Sequence, residues 1–135
     1  MENLIRQAKA AMAMAYAPYS GFFVGAALRC ADGAVFTGCN VENASYGAAN
    51  CAERTAFFKA VSEGYREFTD IALCGGKNGE ISDFCPPCGI CRQVMSEFCG
   101  NDFQIHLIGP GDAVRSYTLA ELLPGQFTAE AMGDK

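Results

Sequence analysis

The segments Cys51-Ala52-Glu53 and Pro87-Cys88-Gly89-Ile90-Cys91 are the most informative part of this sequence. Three thiols at this spacing can hold one zinc ion and leave its fourth coordination position open. A structural zinc is closed by four protein ligands, so an open position indicates catalysis. Glu53, two residues after the first thiol, is placed to act on whatever fills that position. The motif therefore predicts a zinc enzyme.

Composition excludes several classes of protein. The chain has 135 residues, half of them hydrophobic, which predicts one folded domain over residues 1–135 and excludes disorder. The net charge is −5 with no cluster of Lys and Arg, so we expect no nucleic-acid binding and a small, weakly charged substrate. No apolar stretch is long enough for a membrane span. The first residues lack a secretion pattern, which predicts a cytoplasmic protein with its eight cysteines reduced.

Hydrophobic periodicity predicts a mixed sheet covered by helices. Pro18 and Gly21 end the first helix, and Asp32-Gly33 marks a hairpin between the first two strands. A hairpin followed by alternating helix and strand indicates an α/β fold with three layers, α/β/α, around a five-stranded sheet. The pattern leaves the strand order open. The predicted helices are 3–16, 51–63, 88–98 and 119–123; the predicted strands are 23–31, 34–41, 69–74, 104–108 and 114–118, with a loop over 75–83.

The three metal-site cysteines lie at predicted helix starts, where the free N–H groups favour thiolates. Three thiolates and one zinc ion together carry a net charge of −1. Arg54 and Arg92 are candidates to offset that charge. Residues two apart on a helix point in different directions. We therefore expect Glu53 to work beside the metal as a general base, and not as a fourth ligand.

Other interpretations of the cysteines stay open. Cys85 could join the other three and close a structural four-sulfur zinc site. The Cys88–Cys91 pair also resembles a thiol–disulfide redox motif. We expect Cys30, Cys39, Cys74 and Cys99 to be packing residues. His106, the only histidine, lies in an apolar strand, and we expect it to be structural.

The chain resembles the zinc-dependent cytidine deaminases of the small, homotetrameric class. The deaminase signature is a histidine or cysteine, any residue, glutamate, and later Pro-Cys-x-x-Cys. Here the signature is in its all-cysteine form, and the resemblance runs over almost the whole chain. The other segments that carry it are Ala17-Pro-Tyr-Ser-Gly-Phe-Phe-Val-Gly-Ala-Ala-Leu28, Gly38-Cys-Asn-Val-Glu-Asn-Ala-Ser-Tyr-Gly47 and Glu121-Leu-Leu-Pro-Gly-Gln-Phe127.

The resemblance implies hydrolytic deamination of cytidine and 2′-deoxycytidine to uridine and 2′-deoxyuridine, a reaction of pyrimidine salvage. It implies one zinc per subunit, held by Cys51, Cys88 and Cys91, with Glu53 shuttling protons and Arg54 bonding to the ligand sulfurs. It implies a homotetramer with sites shared between subunits. The implied substrate contacts are Asn40 and Glu42 with the ribose 3′-hydroxyl, Phe22 with the base, Ala44 and Tyr46 lining the pocket, the backbone of Ala52 at the reacting amide edge, and Phe127 in a neighbouring subunit's site.

Without the resemblance, the same residues have simpler interpretations. Phe22, Tyr46 and Phe127 would be core residues, and Asn40 and Glu42 would belong to a turn or the surface. Three rival functions also remain. They are a polynucleotide-editing deaminase, which needs a basic groove, a deaminase for another small substrate such as a nucleoside antibiotic, and a non-enzymatic zinc module.

Overall fold

The computed structural model describes residues 1–133. This part of the chain contains five strands and four α-helices. Short 3₁₀ turns lie at Tyr46–Ala48, Pro110–Asp112 and Ala129–Met132. The helices are α1 (Glu2–Met12), α2 (Ala52–Ser62), α3 (Gly89–Phe98) and α4 (Leu119–Leu122), and the strands are β1 (Phe22–Cys30), β2 (Val35–Cys39), β3 (Phe68–Lys77), β4 (Gln104–Ile108) and β5 (Val114–Thr118).

The strands form one sheet in the order β2-β1-β3-β4-β5. β3 and β4 are parallel, whereas the other three pairs are antiparallel. A parallel pair needs a crossover connection, and α3 supplies it. The prediction of a mixed five-stranded sheet is confirmed, and the structure adds the strand order.

Helices cover both faces of the sheet, which confirms the three-layer prediction. On one face α1 buries Leu4, Ala8 and Met12 against small residues of the central strands. On the other face α2 and α3 pack through Phe57 and Met95 onto alternate residues of the same strands. The alternation follows from the strand period of two. None of the helices in residues 1–133 is long and apolar enough to cross a membrane.

Two glycines let helices rest directly on the sheet. A Cβ atom at Gly25 of β1 would lie 2.1 Å from the Ala8 carbonyl oxygen of α1. A Cβ atom at Gly38 of β2 would lie 2.4 Å from the Ala52 carbonyl oxygen, in the first turn of α2. No side chain fits at either contact, so the backbone of β2 fixes the start of α2.

Two predicted boundaries are wrong for reasons that lie far away in sequence. The first helix ends at Met12 and not at residue 16, because Tyr16 pairs with the chain at Val41. The Tyr16 N–H donates to the Asn40 carbonyl at 3.0 Å, which draws this segment out of the helix. The third strand continues to Lys77, because Gly75 and Gly76 pair with β1 where a loop was predicted.

A hydrogen-bonded network around the buried side chains of Asp70 and His106 links four strands of the sheet, β1, β3, β4 and β5. His106 lies 3.0 Å from Asp70 through Nε2 and 2.7 Å from the Ser116 hydroxyl through Nδ1. Asp70 also accepts two hydrogen bonds from Arg29. Burial opposes ionisation of Asp70, but the bonds from His106, Arg29 and Thr69 outweigh it and hold its pKa below the ordinary value. These contacts are consistent with the structural role that the sequence predicted for His106.

Candidate active site

The starts of α2 and α3 bring three cysteine sulfurs close together. Cys51 is the N-cap residue of α2, Cys88 is the N-cap residue of α3, and Cys91 lies in the first turn of α3. Neither N-cap side chain makes a capping hydrogen bond. The positive ends of both helices therefore point towards the sulfurs and favour thiolates there.

The three sulfurs have the spacing of a metal site. Their atoms all lie within 4.8 Å of one another, and the sulfurs of Cys51 and Cys88 are 3.7 Å apart. Two sulfurs bound to zinc at about 2.3 Å in a tetrahedron lie about 3.8 Å apart. Cys91 is buried, whereas Cys88 is exposed, so the open side of the cluster faces solvent. The three thiols are therefore a donor set for zinc, and the Cys51–Cys88 distance already matches that of two zinc-bound sulfurs.

Proton sharing among the sulfurs makes Cys51 the first thiolate. A hydrogen bond from Cys91, helped by Arg54 and Cys88, holds the pKa of Cys51 below its ordinary value. The same bond to Cys51, together with burial, raises the pKa of Cys91. Zinc binds thiolates, so metal binding would displace the proton on Cys91.

Arg54 supplies positive charge to the sulfur cluster. Its Nη2 atom donates to the Cys51 sulfur at 3.3 Å, and this bond raises the pKa of the guanidinium. Within the described residues its Nε atom is buried without a hydrogen-bond partner. Arg92 differs from the prediction, because it donates to the backbone carbonyls of Pro87 and Leu122, each at 2.8 Å. Arg92 thus holds the loop before the metal motif, and Arg54 contacts the sulfur.

Glu53 lies in the first turn of α2 with 5% of its surface exposed. Burial, with a smaller effect from Cys51, raises the pKa of its carboxyl to about 7. Glu53 is not part of the group of mutually close metal-ligand atoms. A carboxyl that titrates near neutrality can both accept and return a proton, which is what general acid–base catalysis requires.

Cys85 stays outside the sulfur cluster. The group of metal-ligand atoms found in residues 1–133 contains Cys51, Cys88 and Cys91 without it. Its thiol instead packs over β3, since a Cβ atom at Gly75 would lie 3.0 Å from the Cys85 sulfur. Burial raises the pKa of Cys85 to about 12, which disfavours the thiolate. A closed four-sulfur zinc site is therefore not what the fold assembles.

The residues assigned to the substrate lie around the start of β1. Phe22 opens that strand with its ring partly exposed. Asn40 ties the segment together, because its Oδ1 accepts from the Val24 N–H and its Nδ2 donates to the Phe22 carbonyl, both at 2.8 Å. Glu42 Oε1 accepts from the backbone N–H groups of Tyr19 and Ser20 at 2.9 and 3.0 Å.

A cavity of about 240 Å³ adjoins Glu42. Tyr46 lines it with its ring 80% exposed, while Ala44 is exposed nearby and Ala52 is buried at the start of α2. Tyr19 and Ser20 also line this cavity, although no motif in the sequence singles out either residue as a site residue. Their role depends on Glu42, which is 22 residues from Ser20 in the chain.

Phe127 lies apart from this cavity. Its ring is 60% exposed, and its carbonyl accepts from Gln93 Nε2 of α3 at 2.9 Å. It lines a second cavity, of about 440 Å³, between the end of α3 and the C-terminal segment. Within one chain, therefore, the fold does not bring Phe127 to the predicted pocket.

Comparisons with known proteins agree with the site. The family model described as the "Cytidine and deoxycytidylate deaminase zinc-binding region" matches residues 1–107. The chain is 51% identical over 133 residues to a cytidine deaminase of Halalkalibacterium halodurans, covering 98% of each chain. It is 48% identical over 130 residues to a cytidine deaminase of Sporosarcina psychrophila, covering 96% of this chain and 93% of that one. Among solved structures, a cytidine deaminase from Burkholderia pseudomallei superposes with a TM-score of 0.86 at 52% identity, covering 93% of this chain and 98% of that one.

Proposed function

The chain belongs to the cytidine and deoxycytidylate deaminase family, and we propose that it deaminates cytidine and 2′-deoxycytidine by hydrolysis, giving uridine or 2′-deoxyuridine and ammonia. One observation supports this most directly. Three sulfurs spaced for zinc lie beside a buried carboxyl whose pKa is about 7. We also propose that the whole chain, residues 1–135, acts as one catalytic domain.

Cys51, Cys88 and Cys91 would hold one zinc ion per subunit. When bound, zinc supplies Lewis acidity that lowers the pKa of a water molecule to roughly 7. Arg54 would balance the charge of the three thiolates through its bond to Cys51. These roles are chemical inferences from the donor set and its positive surroundings.

Glu53 would move both protons of the reaction. It takes a proton from the attacking water and passes it to N3 of the cytosine ring, which makes C4 more electrophilic. The water oxygen bonds to C4, and Glu53 carries the second proton of that water to the amino group. The C4–N bond then breaks, ammonia leaves, and the C4 carbonyl forms. A single residue can serve in both transfers because a carboxylate that has accepted a proton can give it up again to the substrate.

Contacts around β1 would recognise the nucleoside. Glu42, when ionised, can only accept hydrogen bonds, so it would accept from the ribose 3′-hydroxyl, with Asn40 as the second partner. The ring of Phe22 would lie against the base, and the backbone of Ala52 would contact the reacting amide edge. Ala44 and Tyr46 would line the pocket. The net charge of −5 favours a neutral nucleoside over a polynucleotide.

We further propose a homotetramer in which Phe127 completes the site of a neighbouring subunit. A neighbouring subunit that received Phe127 would cover an aromatic side chain that is exposed on the single chain. Here the rings of Phe127 and Tyr46 are 60% and 80% exposed. The eight cysteines are all free thiols, which fits the reducing cytoplasm as the place of work.

The test is the loss of cytidine absorbance with purified, zinc-loaded protein. We expect turnover of cytidine and 2′-deoxycytidine that a chelator abolishes and added zinc restores. A panel of other amino-nucleosides would show whether a different small substrate is preferred. A protein that carries one zinc per chain and does not deaminate either nucleoside would overturn the proposal.

A further inference from the structure

Ser20 lies between the two residues assigned to base and sugar. Its hydroxyl donates to Glu42 Oε2 and accepts from the Phe22 N–H at 3.0 Å. Its own N–H donates to Glu42 Oε1 at 3.0 Å, and its carbonyl accepts from Lys77 Nζ at 2.5 Å. Every polar group of Ser20 is therefore engaged, and the residue is fixed on two sides.

The direction of the hydroxyl bonds follows from the partners. The Phe22 N–H can only donate, so the Ser20 oxygen must accept there. The ionised Glu42 carboxylate can only accept, so the Ser20 proton must point to it. The Ser20 hydroxyl has one proton and no alternative arrangement with these two partners. It therefore holds the carboxylate in a single orientation.

This arrangement decides which oxygen of Glu42 remains open. Oε1 already accepts two backbone N–H groups, from Tyr19 and Ser20, which is its ordinary capacity. Within residues 1–133, Oε2 accepts only the Ser20 hydroxyl and keeps room for one more donor. The Ser20 hydroxyl is also the largest cause of the lowered pKa of Glu42, which keeps the carboxylate ionised as a pure acceptor.

We propose that Ser20 is a positioning residue that aims Oε2 of Glu42 at the sugar and thereby sets selectivity for nucleosides with a 3′-hydroxyl. This proposal rests on the proposed function, because it takes Glu42 as the ribose contact. Ser20 itself does not need to touch the substrate. Phe22 also bonds to Asn40 through its carbonyl, so one of its two bonds stays when the serine hydroxyl is removed.

The experiment compares two ligands that differ only at the 3′ position. Ser20→Ala removes the hydroxyl and keeps the backbone N–H that Glu42 Oε1 uses. The readouts are the KM of cytidine and the inhibition constant of 3′-deoxycytidine against cytidine, which is measurable whether or not the analogue turns over. Ser20→Thr restores a hydroxyl. Ser62→Ala is the matched control, since Ser62 is an exposed serine that bonds a backbone carbonyl at the end of α2.

We expect Ser20→Ala to raise the KM of cytidine about tenfold, the lower end of the range for losing a hydrogen bond to a charged group. The inhibition constant of 3′-deoxycytidine should change less than about twofold, because that ligand has no donor for Oε2. Ser20→Thr should recover most of the cytidine affinity, and Ser62→Ala should match the wild type.

Two results would overturn the role of Ser20 while leaving the function intact. One is an unchanged KM of cytidine in Ser20→Ala, and the other is an equal weakening of cytidine and 3′-deoxycytidine, which indicates a general structural role. A wild-type enzyme that does not turn over cytidine would instead refute the proposed function itself.

Discussion

Replacing Glu53 by glutamine tests the proposed proton transfer most directly. The two side chains have the same shape, and the site is 5% exposed, so packing and the sulfur cluster should be kept. Glutamine cannot take a proton from water, and burial prevents bulk solvent from replacing the carboxyl. General acid–base catalysis contributes about 10²- to 10⁴-fold, and this burial places the expected loss in kcat at about 10³- to 10⁴-fold. That loss corresponds to about 4–5.5 kcal/mol of barrier.

The assay combines cytidine turnover with zinc content and the unfolding midpoint. We expect Glu53→Gln to carry one zinc per chain and to unfold near the wild-type temperature while kcat falls. Glu63→Gln is the control, because Glu63 is an exposed carboxylate at the other end of α2. Zinc-loaded Glu53→Gln with kcat within about tenfold of the wild type would refute the assignment of both proton transfers to Glu53.

Three further substitutions test zinc binding, the packing of α2 on β2, and the hydrogen-bonded network around Asp70. Arg54→Ala should weaken zinc binding about 10- to 100-fold, measured by competition with a chromophoric chelator. An unchanged zinc affinity would contradict the role of Arg54 in supporting the zinc ligands. Gly38→Ala should cost about 1–3 kcal/mol in denaturant unfolding, because the new Cβ meets the Ala52 carbonyl; wild-type stability would show that α2 can shift away. Asp70→Asn should lose about 2 kcal/mol at pH 7. The folded-state pKa of Asp70 is lowered, so its contribution is present above the unfolded-state pKa of about 3.9 and fades as the pH falls below it. The wild type and Asp70→Asn should therefore converge in urea unfolding at low pH, and a constant gap would contradict this reasoning.

The metal site was predictable because its information is local. Cys51 and Cys88 each stand at a helix start, and each motif has a fixed spacing that brings its side chains to one end of a helix. Two strands, Gln104–Ile108 and Val114–Thr118, also match the prediction residue for residue, since short apolar or β-branched runs bounded by turns define them. In these places the pattern and the tertiary structure favour the same conformation.

The predicted element boundaries are wrong where contacts with residues far away in sequence determine the local structure. Tyr16 leaves the helix because it pairs with the chain at Val41, and no periodicity near Tyr16 reports that contact. Gly75 and Gly76 have low strand propensity, yet β1 pairs with both. The contact between Ser20 and Glu42 could not be predicted for the same reason, because only the fold brings the carboxylate to the serine.

The helices that present the sulfurs begin without the side-chain caps that usually hold a first turn. Ser, Thr, Asp or Asn at an N-cap bonds a free backbone N–H, whereas Cys51 and Cys88 occupy those positions without such a bond. The ion that the sulfurs bind therefore takes over the anchoring of both helix starts. When it is lost, the two turns should fray together, which hydrogen exchange would detect as faster amide exchange confined to them. Since proteolysis tracks the population of opened states, these two turns should also be the segments that a protease cuts first in the metal-free protein.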